Sequence, residues 1–254
     1  MSNLSNLFKK NNIIRNIYID TLELRSIILS FFANNVDIYD EQILHNLNVK
    51  GYVVIKNFFA DDKCEALLHA TNQVLANCET EYTNGDLRSF GAENNTTIKG
   101  LYSENNKIKN IMHNYLGSNP DFDSTLAAKL SYVKGNLGSG QGWHRDSYSK
   151  QIKSILYLTD ANEENGAFEY IIGSNNKERI KNDSKFLCKI SDGGYNGLRL
   201  THENVMELCR NFDYKAELVT GNAGDLIIAD TRGLHRGSPI KTGERIALTN
   251  YYAD

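Results

Sequence analysis

The sequence predicts a mostly β fold with flanking helices, in which a β-sandwich or jelly-roll core follows a helical N-terminal part. From about Ser124 onward, short apolar runs alternate with turn segments such as Asn165-Gly166 and Asp192-Gly193-Gly194. Before that point, the apolar residues follow helical spacing. A chain of 254 residues, 41% of them hydrophobic, can bury a core without disulfide staples.

No internal repeat, low-complexity tract or Pro/Gly/Ser-rich linker divides the chain, so we expect one catalytic domain over residues 1–254. Residues 1–50 are expected to form a helical N-terminal extension, and residues from about 124 to 254 the jelly-roll core. The polar segment Glu178–Arg210 is interpreted as an insertion that could act as a lid over the mouth of a site.

The elements of the N-terminal half are predicted from local signals. Gly51–Phe59 is typical of a strand that enters a turn. Asp61 or Asp62 can cap an amphipathic helix that extends to about residue 78. A further helix is predicted over Asn106–Leu116, and it should end at Gly117, because glycine is the preferred residue just after a helix C-terminus.

Six short apolar runs in the C-terminal half predict strands, because turn residues bound them. The helices of the N-terminal half would pack against the outside of one of the resulting sheets. The predicted strands are Ala127–Lys134, Ser154–Leu158, Ala167–Ile172, Ala216–Leu218, Asp225–Ile228 and Ile246–Tyr252.

Charge and cysteine content exclude several classes of protein. A net charge of −3 and a pI of about 6.1 give no basic field for nucleic acid or an anionic membrane. Cys64, Cys78, Cys188 and Cys209 form no CxxC pair, which disfavours a zinc knuckle, and Cys64 and Cys209 are interpreted as small core residues. The N-terminus lacks a signal-peptide pattern, so we expect a cytoplasmic protein without a membrane partner.

The most informative pattern is His144-Arg145-Asp146, followed much later in the chain by His235. Two imidazoles and one carboxylate can hold a non-haem iron(II) ion on one face and leave the other face open. Residues i and i+2 of a strand share a face, so His144 and Asp146 could reach one metal. The apolar run Leu226–Asp230 could deliver His235 from another strand. Zinc accepts the same donor types, so these residues alone leave the metal open.

The neighbouring sequence strengthens this interpretation. Three glycines in Gly138–Gly142 would let the backbone approach a ligand closely, and Trp143, the single tryptophan, would form a wall of the site. Arg245 begins the last predicted strand. If it is buried it needs an anionic partner, which a dicarboxylate would supply through a bidentate pair. The alternative is a surface arginine paired with Glu244 or Asp230.

Four segments carry a resemblance to a known family: Gly140–Ser147, Lys153–Asp160, Glu164–Ser174 and the stretch from His235 to Arg245. Together they resemble the phytanoyl-CoA dioxygenase family, specifically from about Lys129 to Tyr252 and only vaguely before Gly51. The resemblance implies an iron(II)- and 2-oxoglutarate-dependent oxygenase, which also consumes O2. It further implies a double-stranded β-helix, a cupin-like form of the jelly roll.

The resemblance also implies roles for individual residues. His144, Asp146 and His235 would bind iron as the catalytic centre, and Arg245 would grip the distal carboxylate of 2-oxoglutarate. Ser238 would assist Arg245. Lys153, two residues before the apolar part of a predicted strand, is also expected to face the cosubstrate. Gln141, beside the preceding strand, is expected to do the same.

Four weaker candidates remain for contact with a substrate. Lys129 and Tyr132 lie on the strand that precedes the glycine-rich segment, and Arg88 and Glu93 lie in a predicted loop outside the β core. For all four, a solvated or cross-strand role is the favoured interpretation.

The expected reaction is hydroxylation of an unactivated C–H bond of a small molecule, with release of succinate and carbon dioxide. The resemblance favours hydroxylation because Asp146 is present, whereas related halogenases carry a small residue in its place. Desaturation, cyclisation or epimerisation in natural-product or sugar metabolism is the alternative with the same cofactors. Two further alternatives are a zinc or manganese cupin-like enzyme and a non-catalytic jelly-roll binding module.

Overall fold

The computed structural model describes residues 12–30, 38–77, 81–82, 85–117, 121–190 and 198–253. Parts of the predicted N-terminal extension (residues 1–11 and 31–37), Cys78, and residues 191–197 of the predicted insertion lie outside the described residues. None of the helices within the described ranges is both long and apolar enough to cross a membrane.

Most helices lie in the first half of the described chain and most strands in the second. The helices are α1 Asn12–Ser30, α2 Ile38–Val49, α3 Asp61–Ala76, α4 Asn106–Leu116, α5 Lys177–Ile190 and α6 His202–Phe212, and a run of short helical turns occupies residues 92–103. The strands are β1 Tyr52–Ile55, β2 Glu81–Tyr82, β3 Asp86–Phe90, β4 Asp121–Ser131, β5 Gln151–Tyr157, β6 Phe168–Ile171, β7 Ala216–Val219, β8 Leu226–Asp230, β9 His235–Gly237 and β10 Glu244–Ala253.

The strands form two antiparallel sheets, as a jelly roll requires. In the larger sheet the order is β1-β8-β5-β10-β4-β3-β2, and in the smaller it is β7-β6-β9. Isolated backbone bridges extend the smaller sheet beyond β9, because His144 pairs with His235 on one side and with Arg199 on the other. The predicted mostly β, cupin-like fold with flanking helices is therefore confirmed.

Side-chain alternation divides the larger sheet into two apolar faces. On β8, Leu226 and Ile228 face outward and pack with α2, α3 and α4 in the largest core cluster. Ile227 and Ala229 face the smaller sheet and pack with Phe168 and other residues between the sheets. The helices of the N-terminal half thus cover the outside of one sheet, as the sequence predicts.

Local signals predicted α4 well and the start of α3 poorly. Asn105 caps α4 through its side chain, and Gly117 ends the helix with φ of 77°, as expected. At α3 the N-cap is Ala60, which has no capping side chain, so the prediction that Asp61 or Asp62 caps this helix is wrong. Both carboxylates instead lie in the first turn, where the helix dipole favours negative charge.

Long-range pairing corrects one predicted element, and helices occupy a segment to which the sequence assigned no secondary structure. The segment around Arg88 was expected to be a loop outside the β core, but β3 pairs with β4 in the larger sheet. In the poorly readable segment 178–210, the structure has α5 and α6, which pack with Trp143 and Leu234 in a third cluster. Both helices therefore lie against the outside of the smaller sheet.

Candidate active site

His144, Asp146 and His235 converge in the space between the two sheets. One ligand atom from each residue lies within 4.8 Å of the other two. His144 Nε2 is 3.6 Å from Asp146 Oδ1, and His235 Nε2 is 3.7 Å from Asp146 Oδ2. His144 and Asp146 share a face at i and i+2, and the bridged strand β9 delivers His235. This arrangement has the donor types and the spacing of a facial metal triad.

Backbone carbonyls orient both imidazole rings in the same way. His144 Nδ1 lies 2.9 Å from the carbonyl oxygen of Gly142, and His235 Nδ1 lies 2.9 Å from that of Gly233. A carbonyl oxygen can only accept, so each Nδ1 carries the proton and donates it. Each Nε2 therefore keeps its lone pair and is ready to bind a cation.

The electrostatics of the triad also suit a bound cation. Burial lowers the pKa of both imidazoles, for His235 to about 3, so both rings are neutral at physiological pH. Burial opposes ionisation of Asp146, but its charged neighbours, Lys153 above all, hold the pKa of this carboxyl well below its usual range. Two neutral nitrogens and one carboxylate are thus present together.

Lys153 is the direct partner of the triad's carboxylate. Its Nζ lies 2.6 Å from Asp146 Oδ2 and 4.3 Å from the centre of the Tyr251 ring. Burial alone would lower the pKa of Lys153, but Asp146 and Tyr251 raise it, and the lysine stays charged. Lys153 therefore faces the site, as expected, and holds one oxygen of Asp146.

A cavity of about 200 Å³ opens beside the triad. Alternate residues of β10 form one side of it, namely Arg245, Ala247, Thr249 and Tyr251. Apolar side chains from both sheets contribute Leu126, Ala128, Leu130, Ile155 and Phe168. The cavity thus combines apolar walls with a few convergent polar groups, which is typical of a small-molecule site.

Arg245 is buried at one end of this side of the cavity, with 5% of its surface exposed. Its guanidinium donates to the carbonyl of Gly166 and lies 5.8 Å from the Tyr157 ring centre. Within the described part of the chain, Arg245 Nε has no hydrogen-bond partner. The alternative of a surface arginine paired with Glu244 or Asp230 is wrong, because Glu244 pairs with Lys129 and Asp230 with Arg232.

Two residues predicted to hold a cosubstrate do not line the cavity. Gln141 is exposed in a turn with φ of 58°, where its N–H donates to the carbonyl of Gly138. Ser238 follows β9 directly, and alternation along this strand brings His235 and Gly237, not Ser238, to the cavity. In the described structure, the buried Oγ of Ser238 has no hydrogen-bond partner.

Trp143 differs from expectation, whereas Glu93 lies outside the cavity, as the favoured interpretation held. Trp143 does not form a wall of the cavity, because it precedes His144 on an extended segment and faces the opposite side, where Arg236 lies 4.6 Å from its ring centre. Glu93 accepts a hydrogen bond from the backbone N–H of Thr125 over 2.8 Å. Neither side chain lines the cavity.

Lys129 and Tyr132 lie away from the cavity, as the favoured interpretation held. Lys129 Nζ lies 2.7 Å from Glu244 Oε2 on the outer face, and Tyr132 is exposed beyond the end of β4. Arg88, in contrast, lines the cavity from β3, so the solvated role favoured for it is wrong. Arg199 lines the cavity as well, and sequence reasoning missed it because its place depends on pairing with His144.

Arg145, between the two N-terminal members of the triad, anchors this segment to the rest of the fold. Its guanidinium donates to the carbonyls of Ser174 and Arg232, each over 2.6 Å, and pairs with Asp183 of α5. The side chains of Arg145 and Asp183 are each 1% exposed. A buried ion pair of this kind needs such additional hydrogen bonds, and it fixes the His144 backbone against α5.

The model of one known protein family matches most of the chain. Residues 47–247 match the family model described as phytanoyl-CoA dioxygenase (PhyH). No curated protein matches the chain.

Solved structures of similar fold include two enzymes from nogalamycin biosynthesis. The epimerase SnoN from nogalamycin biosynthesis, in complex with Fe3+, alpha ketoglutarate and nogalamycin RO, superposes with a TM-score of 0.65 at 15% identity, covering 85% of this chain and 84% of its own. The carbocyclase SnoK from the same pathway has a TM-score of 0.63 at 17% identity, and the match covers 87% of this chain and 85% of SnoK. HygX from Streptomyces hygroscopicus, with nickel, 2-oxoglutarate and hygromycin B bound, superposes with a TM-score of 0.57 at 13% identity. The match covers 84% of this chain and 86% of HygX.

Proposed function

Because the chain belongs to the phytanoyl-CoA dioxygenase family, we propose that it is an iron(II)- and 2-oxoglutarate-dependent dioxygenase that hydroxylates an unactivated C–H bond of a small molecule. The observation that carries the proposal is the convergence of His144, Asp146 and His235 beside a cavity that contains a buried arginine. A zinc or manganese cupin-like enzyme would need the three ligands but would give Arg245 no task.

The residues present fit both iron(II) and 2-oxoglutarate. Both Nε2 atoms of the histidines have lone pairs directed toward one carboxylate, which is a ready site for a divalent cation. Arg245 is a buried cation whose Nε lacks a hydrogen-bond partner in the described structure, so an anion beside it would supply a missing acceptor. When bound, iron(II) and 2-oxoglutarate supply the oxygen-activating chemistry that releases succinate and carbon dioxide.

The chain's own residues have positioning tasks in this proposal. His144, Asp146 and His235 hold the metal, and Arg245 binds the distal carboxylate of the cosubstrate. Lys153 keeps Asp146 ionised and fixes its orientation through the 2.6 Å contact with Oδ2. The apolar walls contributed by both sheets exclude water from the reacting face.

A second outcome with the same cofactors is epimerisation or ring closure. The structures that favour it are SnoN, described as an epimerase, and SnoK, described as a carbocyclase, both of similar fold. Asp146 serves every one of these outcomes, since all of them need the complete triad. Product analysis separates them, because hydroxylation adds one oxygen atom to the substrate and epimerisation adds none.

The test uses protein purified without oxygen and loaded with iron(II). We expect stoichiometric iron and succinate formation that requires 2-oxoglutarate and rises when a substrate from a small-molecule panel is added. In Asp146→Ala, iron affinity should fall and substrate-stimulated succinate formation should be lost. Wild-type activity in this variant would overturn the assignment, activity without 2-oxoglutarate would favour the cupin-like enzyme, and failure to bind metal would favour a binding module.

A further inference from the structure

The described side chains that line the cavity carry more positive than negative charge. Asp146 is the one carboxylate among the described residues that line it, whereas four lining side chains are cationic: Arg88, Lys153, Arg199 and Arg245. Iron(II) and the 2-oxoglutarate dianion carry equal and opposite charges, so adding both leaves the excess unchanged. Asp86 pairs with Arg88 over 2.8 Å from just outside the lining and offsets one charge.

Two of these cations lie on either side of the glycine-rich turn. Arg88 Nη2 donates to Ser139 Oγ over 3.0 Å, and Arg199 Nη1 donates to the carbonyl of Gly140 over 2.5 Å. Because Ser139 and Gly140 are consecutive, the two guanidinium groups are anchored to neighbouring points of one turn. They come from opposite directions, Arg88 from β3 of the larger sheet and Arg199 from the segment that extends the smaller one.

This turn lies directly against the metal-binding residues. A Cβ atom on Gly140 would collide with Cε1 of the His144 ring, so the backbone of the turn is in contact with the imidazole. Arg199 also pairs through its backbone with His144. A group held by Arg88 and Arg199 would therefore lie beside the triad.

The remaining two cations already have tasks in the proposed function. Lys153 is bound to Asp146, and Arg245 is assigned to the cosubstrate. Arg88 and Arg199 also line the cavity and have no task in the proposed function beyond their contacts with Asp86 and the turn. Arginine is suited to an anionic ligand because its planar guanidinium binds carboxylate and phosphate oxygens in pairs. A cavity with cationic walls also concentrates anions from solution.

We propose that Arg88 and Arg199 bind an anionic group of the substrate, a carboxylate or a phosphate, over the Ser139-Gly140 turn. This inference rests on the proposed function and names the substrate class of the same site. The oxidised carbon then lies within a few bonds of the anionic group, because the turn that anchors both arginines contacts His144.

The test measures anion binding separately from turnover. The full-length protein is titrated calorimetrically with inorganic phosphate and with benzoate, both metal-free and loaded with nickel(II) and 2-oxoglutarate so that the cosubstrate site is filled. We expect the wild type to bind at least one probe, and the better probe identifies the oxyanion as phosphate or carboxylate. Arg88→Gln and Arg199→Gln should each weaken that binding about tenfold or more, and Arg88→Lys should retain part of it.

Two control variants remove a positive charge elsewhere. Lys129→Gln does so on the outer face of the same sheet, and Arg210→Gln does so on the exposed surface of α6. Neither should change the affinity for the probe. If they weaken binding as much as the cavity variants, binding depends on general charge and the inference is wrong.

Other results separate this inference from the proposed function. Wild-type protein that binds neither probe in either state, or an Arg88→Gln variant that loses 2-oxoglutarate affinity and keeps probe affinity, would overturn the inference alone. Failure of the wild type to bind nickel(II) and 2-oxoglutarate would overturn the proposed function, while probe binding by the metal-free protein would still support the anion site.

Discussion

The backbones of His144 and His235 exchange two hydrogen bonds, each N–H donating to the other residue's carbonyl over 3.0 Å. This is the hydrogen-bonded pair of an antiparallel ladder, and it holds the two imidazole rings 4.3 Å apart, centre to centre. Sheet register, and not loop conformation, thus determines the spacing of the two rings. A slip of one residue would turn one of them to the other face.

Gly140 tests how tightly the His144 ring must be held. In Gly140→Ala the new methyl group would collide with His144 Cε1, so the ring must move away from its partners. We expect metal affinity to fall about 10- to 100-fold, as is usual when a residue that supports a metal ligand is changed. Competition titration with a chelating indicator measures this loss.

Gly135 provides a matched control for that substitution. Both glycines have a left-handed backbone, with φ of 80° at Gly140 and 84° at Gly135, but nothing lies within 4 Å of a Cβ atom at Gly135. Gly135→Ala should cost about 1–2 kcal/mol of stability through backbone strain and leave metal affinity unchanged. Equal losses of metal affinity in both variants would mean that strain, and not ring contact, is responsible.

Arg245→Gln should weaken 2-oxoglutarate binding about 10- to 100-fold, because a hydrogen bond to a charged group contributes about 1.5–3 kcal/mol. Metal content should stay at the wild-type level, since Arg245 contacts none of the three ligands. The visible charge-transfer absorption of the anaerobic iron complex, titrated with 2-oxoglutarate, gives the dissociation constant directly. An unchanged constant would remove Arg245 from the cosubstrate site.

Gly237, on β9 of the smaller sheet, limits the space around Arg245, which lies on β10 of the larger sheet. A Cβ atom there would lie 2.6 Å from Ser139 Cβ and 3.3 Å from Arg245 Nη2. Gly237→Ala should therefore raise the dissociation constant of 2-oxoglutarate about tenfold, because the methyl group displaces Ser139 and crowds the Arg245 guanidinium. Gly100→Ala is the control, because a Cβ atom at Gly100 meets nothing within 4 Å, and it should bind the cosubstrate normally.

Local sequence signals sufficed where a residue's own neighbours decide its conformation. The limits of α4 follow from the side-chain cap of Asn105 and the left-handed Gly117, both of which act within one turn. The strand β10 was predicted within a few residues because a short apolar run follows the turn around Gly243. The positions of His144, Asp146, His235 and Arg245 near one another followed from residue type, spacing and family resemblance together.

The remaining differences come from pairing that a single sequence does not reveal. Arg88 lies on a strand with few apolar residues, and its conformation depends on pairing with β4. Arg199 reaches the cavity through a bridge to a residue far away in the chain. Ser238 and Trp143 are each one position from a cavity-facing residue, and a displacement of one residue reverses the face in a strand.

The buried carboxylate of Asp230 makes stability depend on pH. Arg232 donates to both carboxylate oxygens, from its backbone N–H to Oδ1 over 3.0 Å and from Nη2 to Oδ2 over 2.8 Å. The hydroxyl of Tyr115 donates to Oδ2 over 2.7 Å. Burial opposes ionisation, but Arg232 and Tyr115 outweigh it and lower the pKa of Asp230 from its ordinary value of 3.8. The ionised form is therefore bound more favourably in the folded protein than in the unfolded chain.

Asp230→Asn should cost about 3–5 kcal/mol at pH 7, because it leaves Arg232 buried without its counter-charge. Since the folded pKa is depressed, the stabilisation by the carboxylate is complete above pH 3.8 and is lost as the pH falls through the folded value. The difference in the free energy of unfolding between wild type and variant, measured by urea denaturation, should thus narrow below pH 3.8. Asp123→Asn, an exposed position on β4, should change stability by about 0.5 kcal/mol or less throughout. A gap that stays constant down to acidic pH would show that shape, and not charge, accounts for the effect of Asp230.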